Sequence, residues 1–442
     1  MATLIPFKGV LYNPAMIHDL AQVVAPPYDV IDAEFQRALH ARHPNNVIRL
    51  ELGLDQPGDG PSQNRYTRAA SSLHDWLAKG ILRRDPEPAI YPHTIEYLAP
   101  SDQPGSATRV LKGFLATVEL EEFGTGRIFP HENTRSAAKA DRLKLLKSCR
   151  ANFSPIFSLF SDPEGRVLQL LEKSVNADKP RVDFRDDSGF RQRLWAMRDR
   201  AILGEIATAM KRTPLFIADG HHRYETALTY RSQRRQQAGL PSSGDLQPYD
   251  AVLMLFSSLE DPGLTVLPTH RVLRTPVPPL ARIKDLLREA FEFEEVPFQG
   301  RTETETRRRF IQTLRAQGET GQVFGLALRG LHAYVLLALR PTHCLPTGAS
   351  ARDRLDVSIL QSQVFSKLLA SKSDEDAILY TKDDDEALDL VRRGAAKAAL
   401  LLNPTKVGEV RAVAASGERM PHKSTYCYPK PLTGLVMNVM ER

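Results

Sequence analysis

Short apolar segments alternate with amphipathic helical segments along the whole chain, and this alternation most limits how the chain can fold. Because helices that follow strands bury their apolar faces against a sheet, the pattern predicts an α/β (α+β) fold with mixed sheets. It does not favour a helix bundle or a β-sandwich. The sequence has no repeat of fixed period and no low-complexity tract, so it does not favour a solenoid either.

Apolar stretches with turn residues at their ends predict strands, and longer stretches with helical periodicity predict helices. The strands predicted in the first half are Val47–Leu52, Phe114–Leu120, Pro155–Phe160 and Pro214–Ala218. The helices predicted there are Gln63–Lys79, Ala137–Ser148, Val167–Val175, Phe190–Met210 and His222–Gln237. Strands predicted in the second half are Ala251–Ser257, Leu264–Leu267, Val323–Leu328, Ala333–Leu339 and Ala398–Leu402. Its predicted helices are Leu280–Ala290, Ser358–Leu369, Asp385–Arg393 and Lys406–Ala414.

The length of 442 residues exceeds what one hydrophobic core usually organises, so two domains are predicted. Glycine, proline and serine are frequent at 238–248, and we therefore place an α/β domain at 1–240 and a second one at 250–442. No apolar run approaches the length of a membrane helix, and the first residues do not resemble a secretory signal. With three widely spaced cysteines and no CxxC pair, the sequence predicts a cytoplasmic protein without a membrane partner.

The segment Phe216–Tyr230, FIADGHHRYETALTY, contains an unusually polar predicted strand-to-helix turn. The turn contains Asp219, Gly220, His221, His222 and Arg223. A helix start presents backbone N–H groups and partial positive charge, which suit an anion such as phosphate. The alternative interpretation is a capped helix with Asp219 as the N-cap and two solvated histidines.

Two further segments carry reactive side chains near predicted turns. APPYDV at 25–30 presents Tyr28 and Asp29 on a loop stiffened by two prolines, or is a plain turn. FPHENT at 129–134 places His131 beside Glu132 before a helix, which suits proton transfer or metal coordination. It is equally the composition of a capped surface helix.

Three more segments could contribute polar groups to a ligand, although each can also be an ordinary turn or surface loop. NFSPI at 152–156 offers an amide and a hydroxyl just before a strand. LPTHR at 267–271 pairs His270 with Arg271, a combination that suits anion contact. The segment Gly417–Gly434 combines cations with hydroxyls, a mixture that phosphate sites favour. Its residues of interest are Lys423, Ser424, Thr425 and Lys430.

The sequence also limits which metal ions and which nucleic-acid partners are expected. The chain contains neither HExxH nor a Walker A loop nor GxGxxG, and adjacent His221 and His222 would face different sides of a helix. A Mg²⁺ ion held by Asp219 or Glu132 together with phosphate oxygens fits better. The basic stretch 135–150 predicts either a solvated helix face or an anion-attracting surface. A net charge of +6 is modest, so nucleic acid is not favoured as a partner.

The order of these motifs resembles that of the bacterial and archaeal domain-of-unknown-function family 1015, from about Ile5 to Met437. The motifs are APPYDV, HENT, KADRLKLLKS with NFSPIF, ADGHHRYETAL, DPGLTVLPTHR, and GERMPHKSTYCYPK with TGLV. More distantly, the DGHHR turn is similar to ParB-like and sulfiredoxin-like nucleotide-binding domains and to free-serine kinases built on them. This resemblance implies a nucleotide-binding unit in the first domain, with phosphates on residues 220–223 and Asp219 near the metal or transferred group. His221 stands where sulfiredoxin has its reactive cysteine, so peroxiredoxin repair is not implied.

We therefore expect a phosphotransferase that uses Mg²⁺ and ATP, ADP or CTP to phosphorylate a small hydroxyl metabolite, such as serine. The expected catalytic residues are Glu132, Asp219 and His131. The residues expected to bind nucleotide are Gly220, His221, His222, Arg223, His270, Arg271, Lys423, Ser424 and Thr425. The alternatives are a ParB-like regulatory or DNA-handling module and a nucleotide-independent hydrolase. The sequence leaves open the acceptor, the oligomeric state, and whether the KSTY segment completes the site of the first domain.

Overall fold

The structure is a computed structural model that describes residues 3–100, 106–124, 126–130, 134, 136–177, 179–241, 244–341, 348–369, 378–421 and 423–440. These residues divide into two compact units. The first unit draws on residues 1–130, 134–265 and 428–442, and the second on residues 266–427. Both units combine helices with sheets, which confirms the predicted α/β class.

The strands and helices are numbered in chain order. The strands are β1 Leu4–Ile5, β2 Val10–Tyr12, β3 Leu82–Arg84, β4 Tyr91–Tyr97, β5 Arg109–Glu119, β6 Ile128–Pro130, β7 Ala151–Asn152, β8 Ile156–Phe160, β9 Val182–Arg185, β10 Arg191–Leu194, β11 Leu215–Asp219, β12 Ala251–Ser258, β13 Thr265–Leu267, β14 His270–Leu273, β15 Phe291–Pro297, β16 Val323–Leu328, β17 Ala333–Leu339, β18 Ile378–Thr381, β19 Ala398–Leu401, β20 Tyr426–Tyr428 and β21 Asn438–Val439. The helices are α1 Ala33–Arg42, α2 Ile48–Glu51, α3 Arg65–Ala78, α4 Ser136–Cys149, α5 Arg166–Ala177, α6 Arg200–Met210, α7 His221–Gln237, α8 Leu280–Leu287, α9 Glu303–Gly318, α10 Asp356–Ile359, α11 Ser366–Leu368, α12 Asp384–Arg392 and α13 Val407–Ala415. None of the described helices is both long enough and apolar enough to cross a bilayer.

The main sheet of the first unit is mixed. Its strand order is β6-β11-β8-β12-β5-β4-β10-β9, and β1 pairs with β5. β12 runs parallel to β8, and β11 runs parallel to β6, whereas β11 and β8 are antiparallel. Alternate residues of β12 point to one face, where they join apolar side chains of α5, α6 and α7 in a common core. This core fixes the end of β11 against the beginning of α7.

A second core of the first unit collects α1, α2, α3 and α4. The C-terminal segment joins this unit through backbone hydrogen bonds. Thr433 and Ala25 pair in both directions, Gly434 N donates to Phe153 O over 2.9 Å, and β21 pairs with β7. Segments 25–30 and 152–156, which are far apart in the sequence, and the end of the segment 417–434 are thereby brought together.

The second unit contains a sheet in the order β15-β17-β16-β19-β14-β18, with antiparallel pairing at each described step. Helices cover both faces of this sheet. One core includes side chains of α8, α10, α11 and α13, and the other includes side chains of α9 and α12. Successive residues of β17 alternate between the two cores, which is why its sequence reads as a continuous apolar run.

Two secondary-structure predictions were wrong. The predicted strand Val47–Leu52 contains α2, whose Ile48 and Leu50 pack in one core with α3; just before it, Asn46 accepts a hydrogen bond from the backbone N–H of Ile48 over 2.9 Å. The predicted helix Phe190–Met210 begins instead as β10, which pairs with β4 and β9. Only from Arg200 is it helical, after an N-cap at Asp199.

The predicted position of the second domain also needs correction. Residues 251–257, which we expected to open a domain at 250–442, form β12 between β5 and β8 in the first unit. The breaker-rich stretch near 240 is therefore a connection within that unit. Its composition indicates a turn, but composition does not show whether the next strand returns to the same sheet.

Candidate functional site

The polar turn at residues 219–223 lies where the sequence predicted it. β11 ends at Asp219, and α7 begins at His221. Gly220 between them has φ +95°, a left-handed conformation that favours glycine. A Cβ atom at this position would lie 2.9 Å from Nε of Arg223. The glycine therefore allows the sharp turn, and it leaves room for the Arg223 guanidinium to lie against residue 220.

Two cations bind the Asp219 carboxylate: Arg223 one helical turn further along the chain, and Lys430, which is 211 positions away. Arg223 Nη2 donates to Asp219 Oδ2 over 2.6 Å, and Lys430 Nζ donates to Asp219 Oδ1 over 2.6 Å. The same ammonium donates to Asp29 Oδ2 over 2.8 Å. The exposed side-chain fractions are 9% for Arg223, 11% for Lys430, 14% for Asp219 and 32% for Asp29. We call these four residues the Asp219 cluster; its partial burial strengthens the charge–charge attraction relative to a fully exposed pair.

A second layer of polar residues supports the cluster. Arg223 Nη1 donates to Pro155 O over 2.5 Å. Arg142 Nη1 donates to Glu51 Oε1 over 3.0 Å, and Ser154 Oγ donates to the same oxygen over 3.2 Å. A cavity of about 40 Å³ lies among these groups, which is room enough for an ordered water. The polar residues that line it are Glu51, Arg142, Asn152, Ser154, Arg223 and Thr226.

Burial and paired charges control the protonation of this layer. Burial raises the pKa of Tyr28 to about 12, although the positive charges of Arg223 and Arg142 oppose the rise. The Arg142 guanidinium lies 4.3 Å from the centre of the Tyr28 ring. Burial alone would raise the pKa of Asp141, but the charges of Arg142 and Arg65 and the hydrogen bonds from Tyr66 and Arg142 together outweigh it, and the pKa is lowered. Tyr28 is thus a neutral phenol near pH 7, whereas Asp141 is ionised.

The first unit therefore gathers three of the segments that the sequence analysis singled out, together with Lys430. His221 is buried and His222 is half-buried at the start of α7, as expected for neighbours on different helix faces. Sequence reasoning missed Glu51 and the burial of Arg142. An acidic residue inside the apolar stretch VIRLELG was the available signal for Glu51, because a buried carboxylate needs a partner.

Two cations of the basic stretch that begins at 135, Lys139 and Arg142, are paired with carboxylates. Lys139 Nζ donates to Glu225 Oε2 over 2.7 Å, as does Thr134 Oγ1. Arg142 is buried against Glu51. Arg142 therefore fits neither the solvated face nor the anion-attracting surface that we had considered. His131 and Glu132, which we predicted to be catalytic, lie outside the described residues, and so does Arg135.

The second unit contains the predicted residues His270, Arg271, Lys423, Ser424 and Thr425. Arg271 donates to the backbone carbonyls of Thr269 and Lys423, the latter over 3.0 Å. Burial lowers the pKa of Arg271 to about 10, an effect that Tyr380 partly opposes. The structure thus brings Arg271 to the backbone of the KST segment, as a cross-link between two stretches of main chain.

His270 and Ser424 also have structural partners. His270 Nδ1 accepts from Leu402 N over 3.2 Å, and its Nε2 lies 2.9 Å from Asp384 Oδ1. The His270 side chain has 0% exposure, and burial lowers its pKa. Ser424 Oγ donates to Pro421 O over 2.6 Å. In the described part of the second unit, these contacts explain Arg271 and Ser424 without a ligand, whereas His270 Nε2 is close to Asp384 Oδ1 but makes no hydrogen bond of good geometry there. The nucleotide-binding role of all three residues stays a prediction.

Within the described ranges, no three histidine, cysteine, aspartate or glutamate side chains gather into a group that could hold an ion. A metal in the Asp219 cluster would therefore need oxygens from a ligand in addition to the two aspartates.

Comparison with solved structures gives low scores. The chain is similar to a conserved hypothetical protein from Pyrococcus furiosus, with 11% identity, a TM-score of 0.33, and coverage of 74% of this chain and 95% of that chain. It is similar to a free serine kinase in complex with AMP, with 13% identity, a TM-score of 0.34, and coverage of 71% and 86%. SbnI from Staphylococcus aureus, truncated at its C-terminus, gives 10% identity, a TM-score of 0.34, and coverage of 72% and 85%.

Comparison with curated proteins and with protein-family models gives one clear match. No curated protein matches the chain. The family model described as "Protein of unknown function (DUF1015)" matches residues 4–358, which is most of the chain and includes the DGHHR turn. The match agrees with the family that the motif order had indicated. The chain belongs to the DUF1015 family.

Proposed function

We propose that this protein is a nucleotide- and Mg²⁺-dependent phosphotransferase that acts on a small hydroxyl metabolite. The Asp219 cluster at the start of α7 carries this proposal. Arg223 and Lys430 are two partly buried cations beside a helix N-terminus, a combination that suits an anionic phosphate chain. Phosphoryl transfer depends mainly on positioning and on neutralising charge, and groups of this kind supply both.

Within this proposal, the first turn of α7 and Arg223 hold the phosphates. Lys430 takes the part that the sequence analysis gave to Lys423, because its ammonium lies at Asp219 within the first unit. A lysine ammonium on a flexible stem can exchange a carboxylate for a phosphate oxygen. Asp219 positions the metal or accepts the proton of the acceptor hydroxyl. His131 and Glu132 stay proposed catalytic residues.

The residues present fit a Mg²⁺ ion. Asp29 and Asp219 belong to separate segments, yet both reach one ammonium group, so a single cation already spans the two carboxylates. Their oxygens together with nucleotide phosphates form the ligand set that Mg²⁺ prefers. The metal, when bound, would neutralise phosphate charge and orient the transferred group.

The experiment is an activity assay of the purified full-length chain with MgCl₂, one of ATP, ADP or CTP, and a panel of small hydroxyl compounds that includes serine. Phosphorylated product is detected by mass spectrometry. Arg223→Ala should lower turnover by about 100-fold or more, because it removes a donor that neutralises phosphate charge. Arg308→Ala, which removes an exposed arginine paired within α9, is the matched control and should keep full activity.

Full activity in Arg223→Ala would contradict the proposal. So would nucleotide binding without product across the whole panel, which is what a regulatory nucleotide-binding module would give. Thermal-shift measurements with each nucleotide and MgCl₂ identify the nucleotide first, because a bound ligand raises apparent stability.

A further inference from the structure

We infer that Lys430 and a divalent cation compete for one position between Asp29 and Asp219, so that the lysine side chain controls metal entry. The inference deepens the proposed function and rests on it for its biological role. Its physical basis is the geometry of the Asp219 cluster alone, and it can be tested without measuring phosphoryl transfer.

The first observation is the position of the ammonium. Lys430 Nζ lies 2.6 Å from Asp219 Oδ1 and 2.8 Å from Asp29 Oδ2. An ammonium is a compact point charge, and here it stands between two carboxylates that would otherwise repel each other. A divalent cation satisfies the same two oxygens with twice the charge. Both cations cannot occupy this position together.

The second observation concerns Arg223 on the other side of Asp219. Its Nη2 holds Asp219 Oδ2, and its Nη1 holds Pro155 O, so the carboxylate keeps its orientation whichever cation occupies Oδ1. Its Nε is buried and has no hydrogen-bond partner among the described residues. Because a buried N–H group without a partner is costly, this donor indicates that a further acceptor, such as a water or ligand oxygen, belongs beside the cluster.

The third observation concerns the segment that carries Lys430. Thr433 and Gly434 are held by backbone hydrogen bonds to Ala25 and Phe153. The main chain on the C-terminal side of Lys430 is thus anchored beside residues 25–29. Only the flexible side chain of Lys430 has to move for the ammonium to leave the carboxylates.

The formal charges of the Asp219 cluster predict how the binding of metal and the binding of nucleotide depend on each other. The formal charges of Asp29, Asp219, Arg223 and Lys430 cancel, so an added divalent cation gives the cluster surplus positive charge. An anionic phosphate chain neutralises this surplus and offers the displaced ammonium new oxygens. Divalent metal alone should bind weakly to the wild-type protein, and metal with nucleotide should bind cooperatively.

The test measures Mn²⁺ binding to the full-length chain by electron paramagnetic resonance of free Mn²⁺, without nucleotide. Lys430→Met should bind Mn²⁺ at least tenfold more tightly than the wild type, because it removes the competing charge. Adding Asp29→Asn to that variant should cancel the gain. Lys79→Met, which removes an exposed lysine paired with Asp75, is the matched control and should bind Mn²⁺ as the wild type does.

Unchanged or weaker Mn²⁺ binding in Lys430→Met with a native circular dichroism spectrum would overturn the inference. If that variant does not fold, Lys430→Arg replaces it: the charge is kept, so Mn²⁺ affinity should stay within twofold of wild type or fall. A tenfold gain in Lys430→Arg would overturn the inference. A wild-type protein that binds no nucleotide while Lys430→Met shows the Mn²⁺ gain would contradict only the proposed function. Phosphoryl transfer without the Mn²⁺ gain would contradict only the inference.

Discussion

The Asp219 cluster of the first unit and the His270–Arg271 pair of the second unit are built from similar residues but differ in their partners. In the first, Arg223 and Lys430 bind a carboxylate that retains some exposure. In the second, Arg271 binds two backbone carbonyls, and His270 is fully buried beside Asp384. A carboxylate can be exchanged for a ligand anion, whereas a buried backbone carbonyl that loses its donor has no replacement. We therefore propose that the first group binds a ligand and that the second contributes mainly to stability, in place of the nucleotide-binding role predicted for His270 and Arg271 from the sequence.

Arg271→Ala should have the largest effect on stability among these tests, and it separates a stabilising role of the second group from a binding role. Removal of the guanidinium takes a donor from the carbonyl of buried Thr269 and from that of half-buried Lys423, so the free energy of unfolding should fall by about 3 kcal/mol. Urea denaturation followed by circular dichroism measures the loss. Nucleotide affinity at a temperature where the variant is folded should stay within about twofold of wild type. Lost affinity with unchanged stability would reverse the roles of the two groups.

Gly220→Ala tests whether the turn of the first unit depends on its glycine. The left-handed backbone and the close Arg223 side chain oppose a Cβ atom, so stability should fall by about 1 to 2 kcal/mol and Arg223 should be displaced. Gly204→Ala is the matched control, since that helical glycine in α6 has open space around it. The control should gain up to about 1 kcal/mol. Equal midpoints of urea denaturation in the two variants would contradict the prediction.

The pH dependence of stability tests whether His270 is buried in its neutral form. We expect this change in the free energy of unfolding to be the smallest of the three. Burial lowers its pKa in the folded protein, so the neutral form is favoured there. This contribution is complete above the unfolded pKa of about 6.5 and is lost as the pH falls below it, since the unfolded chain then binds the proton more readily. Relative to His270→Asn, the wild type should lose up to about 1 kcal/mol from pH 6.5 to 5.5. Parallel stability curves for the two proteins would show that His270 does not titrate in this way.

Local sequence patterns predicted much of the fold. The strand–turn–helix of residues 215–237 and the apolar strands β16 and β17 were recognised because neighbouring residues set their period. The prediction failed for Val47–Leu52, where Ile48 and Leu50 alternate with polar residues as in a strand but form a helical turn beside α3. Such a short segment carries too few residues to distinguish the two periods, and tertiary packing decided its conformation.

For the candidate site, too, the sequence predicted local features but not contacts between distant segments. The sequence indicated Asp219, Gly220 and Arg223 because they follow a strand and open a helix. It assigned the lysine beside phosphate to Lys423, although Lys430 is the lysine whose ammonium contacts Asp219. Both lysines lie in one polar segment, and only the backbone pairing of Thr433 with Ala25 shows which of them joins the first unit.

The sequence by itself determined the α/β class, most helices, eight of the 21 described strands and the polar turn at the start of α7, because these features depend on residues close together in the chain. The tertiary structure decided that β12 lies in the first sheet, that Glu51 pairs with Arg142, and that Lys430 reaches Asp219. Lys430 is 211 positions from Asp219 and 401 from Asp29. Contacts over such separations depend on the burial of whole elements and leave no periodic signal in the sequence.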